Sequence, residues 1–198
     1  MHMHDLAKRP SLRLAGRFAL AALALAGLIG TAQAQSAEAT VEFLLAGVRP
    51  GGESKRVVDE DEAVRTVTPT AKEGVWRFQY ARSFGPDKTY EMSLDYELKQ
   101  VTACRYDLKI RGNGTVVTMK YDFSGAHDLE VRHDENPTPP GMISIDVVGA
   151  DVERCEPQKG HACEHFDGNR FGYVAASEDE IRQAFAHFQE NYCPKSPF

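Results

Sequence analysis

The sequence lacks a long apolar run of the kind that crosses a bilayer. The stretch from Phe18 to Ile29 (FALAALALAGLI) has only twelve residues, whereas a spanning helix needs roughly 20. It follows the basic residues Lys8, Arg9, Arg13 and Arg17 and precedes Ala32-Gln33-Ala34, a small-x-small cleavage signal. This three-part pattern predicts a cleavable signal peptide over residues 1–34, with no stable membrane anchor after cleavage and a periplasmic or secreted product.

Several catalytic signatures are also missing. There is no G-x-S-x-G, no H-E-x-x-H, no P-loop and no glycine-rich dinucleotide fingerprint. The spacings C-x-x-C-H and C-x-x-C are absent as well, which argues against a c-type haem and a thioredoxin-like redox pair. The sequence therefore predicts no cofactor and favours a non-catalytic function.

The sequence also lacks an excess of positive charge. The leader holds four of the 23 basic residues and one of the 29 acidic ones, so the remaining 164 residues have a formal charge of −9, from 19 basic and 28 acidic side chains. Phosphate binding depends on Lys and Arg displacing counterions. This balance predicts that nucleic acid is not a partner.

What the sequence does contain is four cysteines, all after the leader. An even number in an exported chain predicts two disulfides. Pro157 and Gly160 let the chain turn back between Cys155 and Cys163, so we expect that local pair, and Cys104 then pairs with Cys193. Four cysteines allow three connectivities, and spacing alone does not choose among them.

Strand patterns dominate the middle of the chain. Apolar residues alternate with polar ones from Val75 to Tyr80 and from Tyr90 to Leu98, as in half-buried antiparallel strands. If Asn113-Gly114 forms a two-residue hairpin turn, residues whose numbers sum to 227 lie opposite each other. Apolar residues then share one face and Arg105 meets Asp122 on the other, so both faces support this register. Further strands are expected at 129–132 and 142–148, a possible edge strand at 64–68, and a last hairpin over 166–173.

A helix is expected at each end of this sheet. The first covers residues 36–48, with Ser36 as its cap and Gly51-Gly52 to stop it; a strand over 40–45 is the alternative for this short apolar run. The second begins with a capping box formed by Ser177 and Glu180. The predicted fold class is therefore α+β, an antiparallel meander of about six strands with an N-terminal helix and a C-terminal helix packed on it. Residues 35–198 form one domain.

The segment from Cys155 to Asp167 is also a candidate metal site. His161, Cys163, His165 and Asp167 occupy alternate positions, so on a strand their side chains would share a face, and zinc or copper accepts such ligands. A disulfide would remove the Cys163 thiolate that a metal needs. We therefore expect no metal, and His161, His165 and Asp167 are the candidates if one is bound.

Two other groups of residues have a functional and a structural interpretation. His127, His133 and His187 are either catalytic bases or surface histidines, and no recognised motif places a nucleophile beside them. An aromatic set lines either a ligand pocket or the core: Trp76, Phe78, Tyr80, Tyr106 and Tyr121. Our leading hypothesis is a disulfide-stabilised, non-catalytic binding or interaction domain for an unknown protein or small molecule. The alternatives are a small exported hydrolase and a periplasmic metal-binding protein that uses residues 155–167.

Overall fold

The computed structural model describes residues 36–59, 61–85, 87–132, 142–156, 163–165 and 170–194, with the backbone alone for 170–173. The predicted signal peptide, residues 1–34, lies outside these ranges. Two helices and eleven strands follow one another along the described chain. Their bounds are α1 (Ala37–Ala46), β1 (Lys55–Val58), β2 (Val64–Pro69), β3 (Val75–Ser83), β4 (Thr89–Gln100), β5 (Arg105–Gly112), β6 (Thr115–Asp122), β7 (Asp128–Arg132), β8 (Ile143–Val148), β9 (Asp151–Cys155), β10 (Glu164–His165), β11 (Arg170–Val174) and α2 (Glu178–Asn191).

The strands form two antiparallel sheets. The first has eight strands in the order β1-β2-β3-β4-β5-β6-β9-β10, and the second has three in the order β11-β8-β7. Strands β1 to β6 are a six-stranded meander, so the α+β prediction is confirmed, although the whole fold has more strands than we expected. Residues 64–68 belong to β2, an internal strand between β1 and β3, and not to an edge strand.

The hairpin of β5 and β6 has the predicted register. Arg105 lies opposite Asp122 and Tyr106 opposite Tyr121, so paired numbers sum to 227. The turn residues Asn113 and Gly114 have φ angles of 51° and 74°. Positive φ at both turn positions is the geometry whose twist suits a two-residue hairpin, and Asn-Gly favours it.

Helix α1 begins where the sequence predicts and ends earlier. The Ser36 side chain accepts a hydrogen bond of 3.0 Å from the Ala39 N–H and caps the first turn. Gly47 then takes the left-handed conformation, with φ of 73°, and its N–H donates to the Phe43 carbonyl. A Cβ at position 47 would lie only 2.6 Å from the Ala175 backbone. Gly47 ends the helix, and the prediction that Gly51-Gly52 does so is wrong.

Helix α2 packs on the inner face of the first sheet, which we define as the face that carries Trp76, Leu98 and Leu108. Its capping box is present, with Ser177 and Glu180 bonded to each other's backbone N–H groups. Phe188, fully buried, has its ring centroid 6.0 Å from that of Tyr106. Helix α1 contacts α2, β4 and β11, and eight of its ten residues are buried. One core therefore joins both helices to the sheet.

The predicted last hairpin lies only partly within the described residues. Residues 170–174 form β11, which pairs with β8 in the second sheet. Residues 166–169, where we expected the turn, lie outside the described residues. Strand β9 likewise pairs with β6 and extends the first sheet beyond the meander.

Candidate functional site

An apolar cavity of about 280 Å³ lies on the inner face of the first sheet, under the C-terminal end of α1. Leu45 and Ala46 of α1 form one side of it. Strands β2 to β6 form its floor, with the side chains of Val67, Trp76, Phe78, Tyr96, Ile110 and Met119. A concave site with a mostly apolar lining is the usual form of a small-molecule site.

Cross-strand pairing places these side chains in rows. Trp76 lies opposite Tyr96, and their rings stack with centroids 5.1 Å apart. Tyr96 in turn lies opposite Ile110, which lies opposite Val117. Because side chains alternate between faces along a strand, every second residue of β3 to β6 contributes to the same apolar surface. The outer face between them carries polar and charged residues.

The cavity is open because α1 is much shorter than the strands beneath it. A ten-residue helix is about 15 Å long, whereas the twelve residues of β4 extend for about 40 Å. The apolar surface therefore changes from covered to uncovered along the same strands. Leu98 and Leu108 are 4% and 3% exposed, while Leu94, Ile110 and Val117 are only half-buried.

A second apolar depression of about 310 Å³ continues from the cavity across β5 and β6 to β9. Ile110 and Met119 line both. The remaining lining residues are Leu94, Gly112, Thr115, Val117 and Arg154. We call the cavity and this depression together the inner groove. It crosses the strands of the first sheet from β2 to β9.

Polar groups are few along the inner groove, and two of them are arginines. Arg65 of β2 donates from Nη1 to Asp59 Oδ2 over 2.5 Å and lies over the Tyr80 ring at 5.3 Å. Arg154 of β9 pairs through Nη2 with Glu156 Oε1. Its Nε is buried and has no hydrogen-bond partner among the described residues. A buried donor without an acceptor is uncommon in folded proteins.

Burial also changes the acidity of the tyrosines near the cavity. Desolvation raises the pKa of Tyr96 to about 12 and raises the pKa of Tyr121 as well. Both phenols therefore stay neutral at physiological pH. They contribute aromatic surface and a hydroxyl group, but no negative charge.

The predicted aromatic set divides between core and groove. Tyr106 is completely buried, and Trp76 and Tyr121 are 3% and 7% exposed, so these three belong to the core. Trp76 and Tyr121 nevertheless also line the cavity, as does the half-buried Phe78. Tyr80 is half-buried and packs at 6.0 Å against Tyr90. The set is therefore divided between the core and the lining of the cavity, and the ligand-pocket interpretation stays a prediction.

The four cysteines pair as the sequence predicts. Cys104 is joined to Cys193 with an S–S distance of 1.97 Å, and Cys155 is joined to Cys163 at 2.05 Å. The first bond ties the segment before β5 to the end of α2. The second connects β9 to the residue before β10. Such bonds persist in oxidising compartments.

Only part of the 155–167 segment, residues 155, 156 and 163–165, is described, and it includes one of the three candidate metal ligands, His165. Among the described residues, Glu153, Cys155 and Cys163 are grouped closely enough to hold an ion. Both sulfur atoms are in a disulfide, so neither is a thiolate ligand. His165 is exposed, with its ring nitrogens 3.3 Å from Asp151 and 3.4 Å from Glu153. His161 and Asp167 lie outside the described residues.

His127 and His187 are not among the residues that line the inner groove. His127 is exposed, with Nδ1 3.1 Å from the Gly125 carbonyl oxygen. His187, half-buried on α2, contacts Asn191 at 2.9 Å and the edge of Tyr192. His133 lies outside the described residues.

Sequence reasoning missed Arg65, Arg154 and the α1 residues Leu45 and Ala46 as site residues. A signal for the uncovered surface was nevertheless present, because the apolar alternation of β4 is longer than any ten-residue helix can cover.

No helix in the described ranges has the length and apolar character that a membrane span requires. A scan against models of protein families matched none of them, and searches of curated proteins and solved structures also found no match. The residues of the inner groove are therefore the basis of the functional proposal.

Proposed function

We propose that this protein is an exported, non-catalytic binding protein that holds an apolar or amphipathic small molecule in the inner groove. The observation that carries the proposal is the open apolar surface beyond the end of α1. Burying it against a ligand would be favourable at roughly 25 cal/mol per Å². The two disulfides support an oxidising compartment.

The single tryptophan provides a direct test, because Trp76 lines the cavity. Titration with the neutral fluorophore N-phenyl-1-naphthylamine should quench or shift the Trp76 emission and saturate at one probe per chain. Fatty acids or other alkyl compounds should then displace the probe. A protein that binds neither the fluorophore nor any alkyl compound contradicts the proposal.

Two neighbouring valines make a matched pair of variants. Val117 faces the inner groove, and Val116 lies on the opposite face of β6, where it pairs with Arg111. Both are half-buried. Val117→Asp should weaken probe binding at least ten-fold, because it puts a charge on the apolar surface. Val116→Asp adds the same charge and should leave binding unchanged; equal effects of the two variants would place the probe elsewhere.

Export and the absence of catalysis need separate tests. Protein recovered from the periplasm should begin at Gln35 and have a mass four hydrogens below that of its reduced form. Purified protein should leave a panel of ester, glycoside and peptide substrates intact. Hydrolysis of any of them that depends on His127, His133 or His165 would favour the hydrolase alternative.

A further inference from the structure

The charged residues on the inner face of the first sheet are all of one sign along β1 to β6 and β9. The register places four basic residues on this face: Lys55, Arg65, Arg82 and Arg154. No acidic residue occupies an inward position on these seven strands. The outer face, in contrast, mixes both signs, as in the pairs of Arg77 with Asp95 and Arg105 with Asp122.

This pattern is unusual for a chain whose residues after the leader have a formal charge of −9. Acidic partners for the inward arginines come from outside the strands, with Asp59 beside Arg65, Asp61 beside Arg82 and Glu156 beside Arg154. Each of these partners engages one nitrogen of a guanidinium, which has five N–H donors. Counted over the described residues, donors therefore remain on this mostly apolar surface.

Arg154 is the arginine best placed to bind a ligand. By register it lies beside Met119 on β6, and its side chain lines the depression with Ile110 and Val117. On the other side of β9, the short strand β10 places the exposed Glu164 opposite Arg154. The Nε atom is buried without an acceptor among the described residues. Arg65 and Arg154 each pair with one carboxylate, but Arg65 is also held over the Tyr80 ring.

We propose that the ligand is a single-chain carboxylate. Its head group pairs with the solvent-accessible part of the Arg154 guanidinium, whose side chain is 39% exposed, and its alkyl chain lies on Met119 and Ile110 toward the cavity under α1. This inference rests on the proposed function and specifies its ligand. A planar guanidinium matches a carboxylate well and stays charged at any physiological pH.

The size of the cavity supports one alkyl chain. At roughly 30 Å³ for a group the size of a water molecule, 280 Å³ holds about nine such groups. A methylene is of similar size, so the cavity has room for a single alkyl chain of at least about ten carbons.

Head-group selectivity of the unaltered protein is the first test. Dodecanoate, dodecanol, dodecyltrimethylammonium and dodecyl phosphate, all below their micellar concentrations at pH 8, are titrated while Trp76 emission is followed. We expect dodecanoate to bind at least ten-fold more tightly than dodecanol, and the cationic probe to bind most weakly. Equal affinities for dodecanoate and dodecanol would overturn the proposed head group and leave the proposed function intact. Tighter binding of dodecyl phosphate would overturn the carboxylate in particular, and no binding of any probe would overturn the proposed function.

Variants of Arg154 are the second test. Arg154→Gln should weaken dodecanoate binding at least ten-fold and leave dodecanol binding unchanged, and Arg154→Lys should restore part of the preference. Arg111→Gln is the control, because Arg111 is on the outer face and bonds to Glu97 at 2.8 Å. An unchanged preference in Arg154→Gln would contradict the role of Arg154. If that variant fails to fold, the head-group comparison in the unaltered protein still decides the proposal.

Discussion

The carboxylate of Glu42 accepts a hydrogen bond of 2.7 Å from the backbone N–H of Gly74 in the interior of the protein. Glu42 is completely buried on α1, and its second oxygen, Oε1, has no hydrogen-bond partner among the described residues. Burial is the largest influence and raises the pKa of Glu42 to about 7, from an ordinary value of 4.5. The hydrogen bond from Gly74 opposes this rise, and the charge of Glu73 adds to it.

This relationship predicts that stability falls as pH rises from about 4.5 to 7. In this range the folded protein holds the Glu42 proton that the unfolded chain has released. From the size of this pKa shift, the unfolding free energy should be about 3 kcal/mol lower above pH 7 than below pH 4.5. Glu42→Gln, which keeps an acceptor for Gly74, should remove this dependence. Its stability relative to the unaltered protein should therefore be higher at pH 8 than at pH 5 in urea denaturation.

Glu38→Gln is the control for the Glu42 experiment. Glu38 is on the same helix and its Oε1 accepts a hydrogen bond of 2.8 Å from the Gln100 N–H. Glu38→Gln therefore also replaces a carboxylate that accepts a hydrogen bond from a backbone N–H. If Glu42→Gln changes stability by the same amount at both pH values, Glu42 is not protonated in the folded protein at pH 5.

The two disulfides should differ in their contribution to stability. Cys104 and Cys193 are separated by 89 residues, and Cys155 and Cys163 by 8. In the chain-entropy model the longer loop is worth about 4 to 5 kcal/mol and the shorter about 2 to 3 kcal/mol. Replacing each pair with alanine and measuring urea denaturation should show the larger loss for Cys104–Cys193. The reverse order would mean that native packing, and not chain entropy, dominates.

Gly114 should be sensitive to substitution for a purely conformational reason. Its φ is 74°, and a Cβ at this position would have no atom within 4 Å. Gly114→Ala should therefore lower the unfolding free energy by about 1 kcal/mol through backbone strain alone. Gly114→Asn should cost less, since asparagine tolerates this conformation better. Equal losses for both variants would contradict this explanation.

The hairpin of β5 and β6 was predictable because its two faces give independent information. A slip of one residue would have moved Leu108 outward and broken the pairing of Arg105 with Asp122. The capping box of α2 and the Ser36 cap of α1 were also predictable from local sequence. The end of α1 was not predictable from local sequence, because Val48 continues the apolar stripe past Gly47. A glycine is needed at position 47 because the backbone of Ala175, 128 residues later in the chain, leaves no room for a Cβ.

Local sequence patterns do not predict which distant strands pair with each other. The alternation of Ile143, Ile145 and Val147 predicts a strand, but it does not show that β8 lies between β7 and β11 in a separate sheet. The position of the inner groove also depends on how distant parts of the chain pack together. Alternation shows which side chains share a face, whereas the exposed part of that face depends on where α1 ends above the sheet.

The cavity itself should be a source of instability that can be removed at the cost of binding. Ala46 lines it and is 4% exposed. Ala46→Leu adds three carbons that can fill the cavity, so we expect a stability gain of about 1 to 2 kcal/mol and weaker binding of N-phenyl-1-naphthylamine. This combination is typical of sites kept open for function.

Ala39→Leu is the matched control for Ala46→Leu. Ala39 is two turns earlier on the same helix, is equally buried at 4% exposure, and is not among the residues that line the cavity. The same three carbons should overpack the core there and destabilise the protein by about 1 to 3 kcal/mol. Denaturation and Trp76 titration of both variants separate the two effects. If Ala46→Leu stabilises the fold while probe affinity is unchanged, the ligand does not occupy the cavity under α1, and the binding surface must be sought on the depression near Arg154 instead.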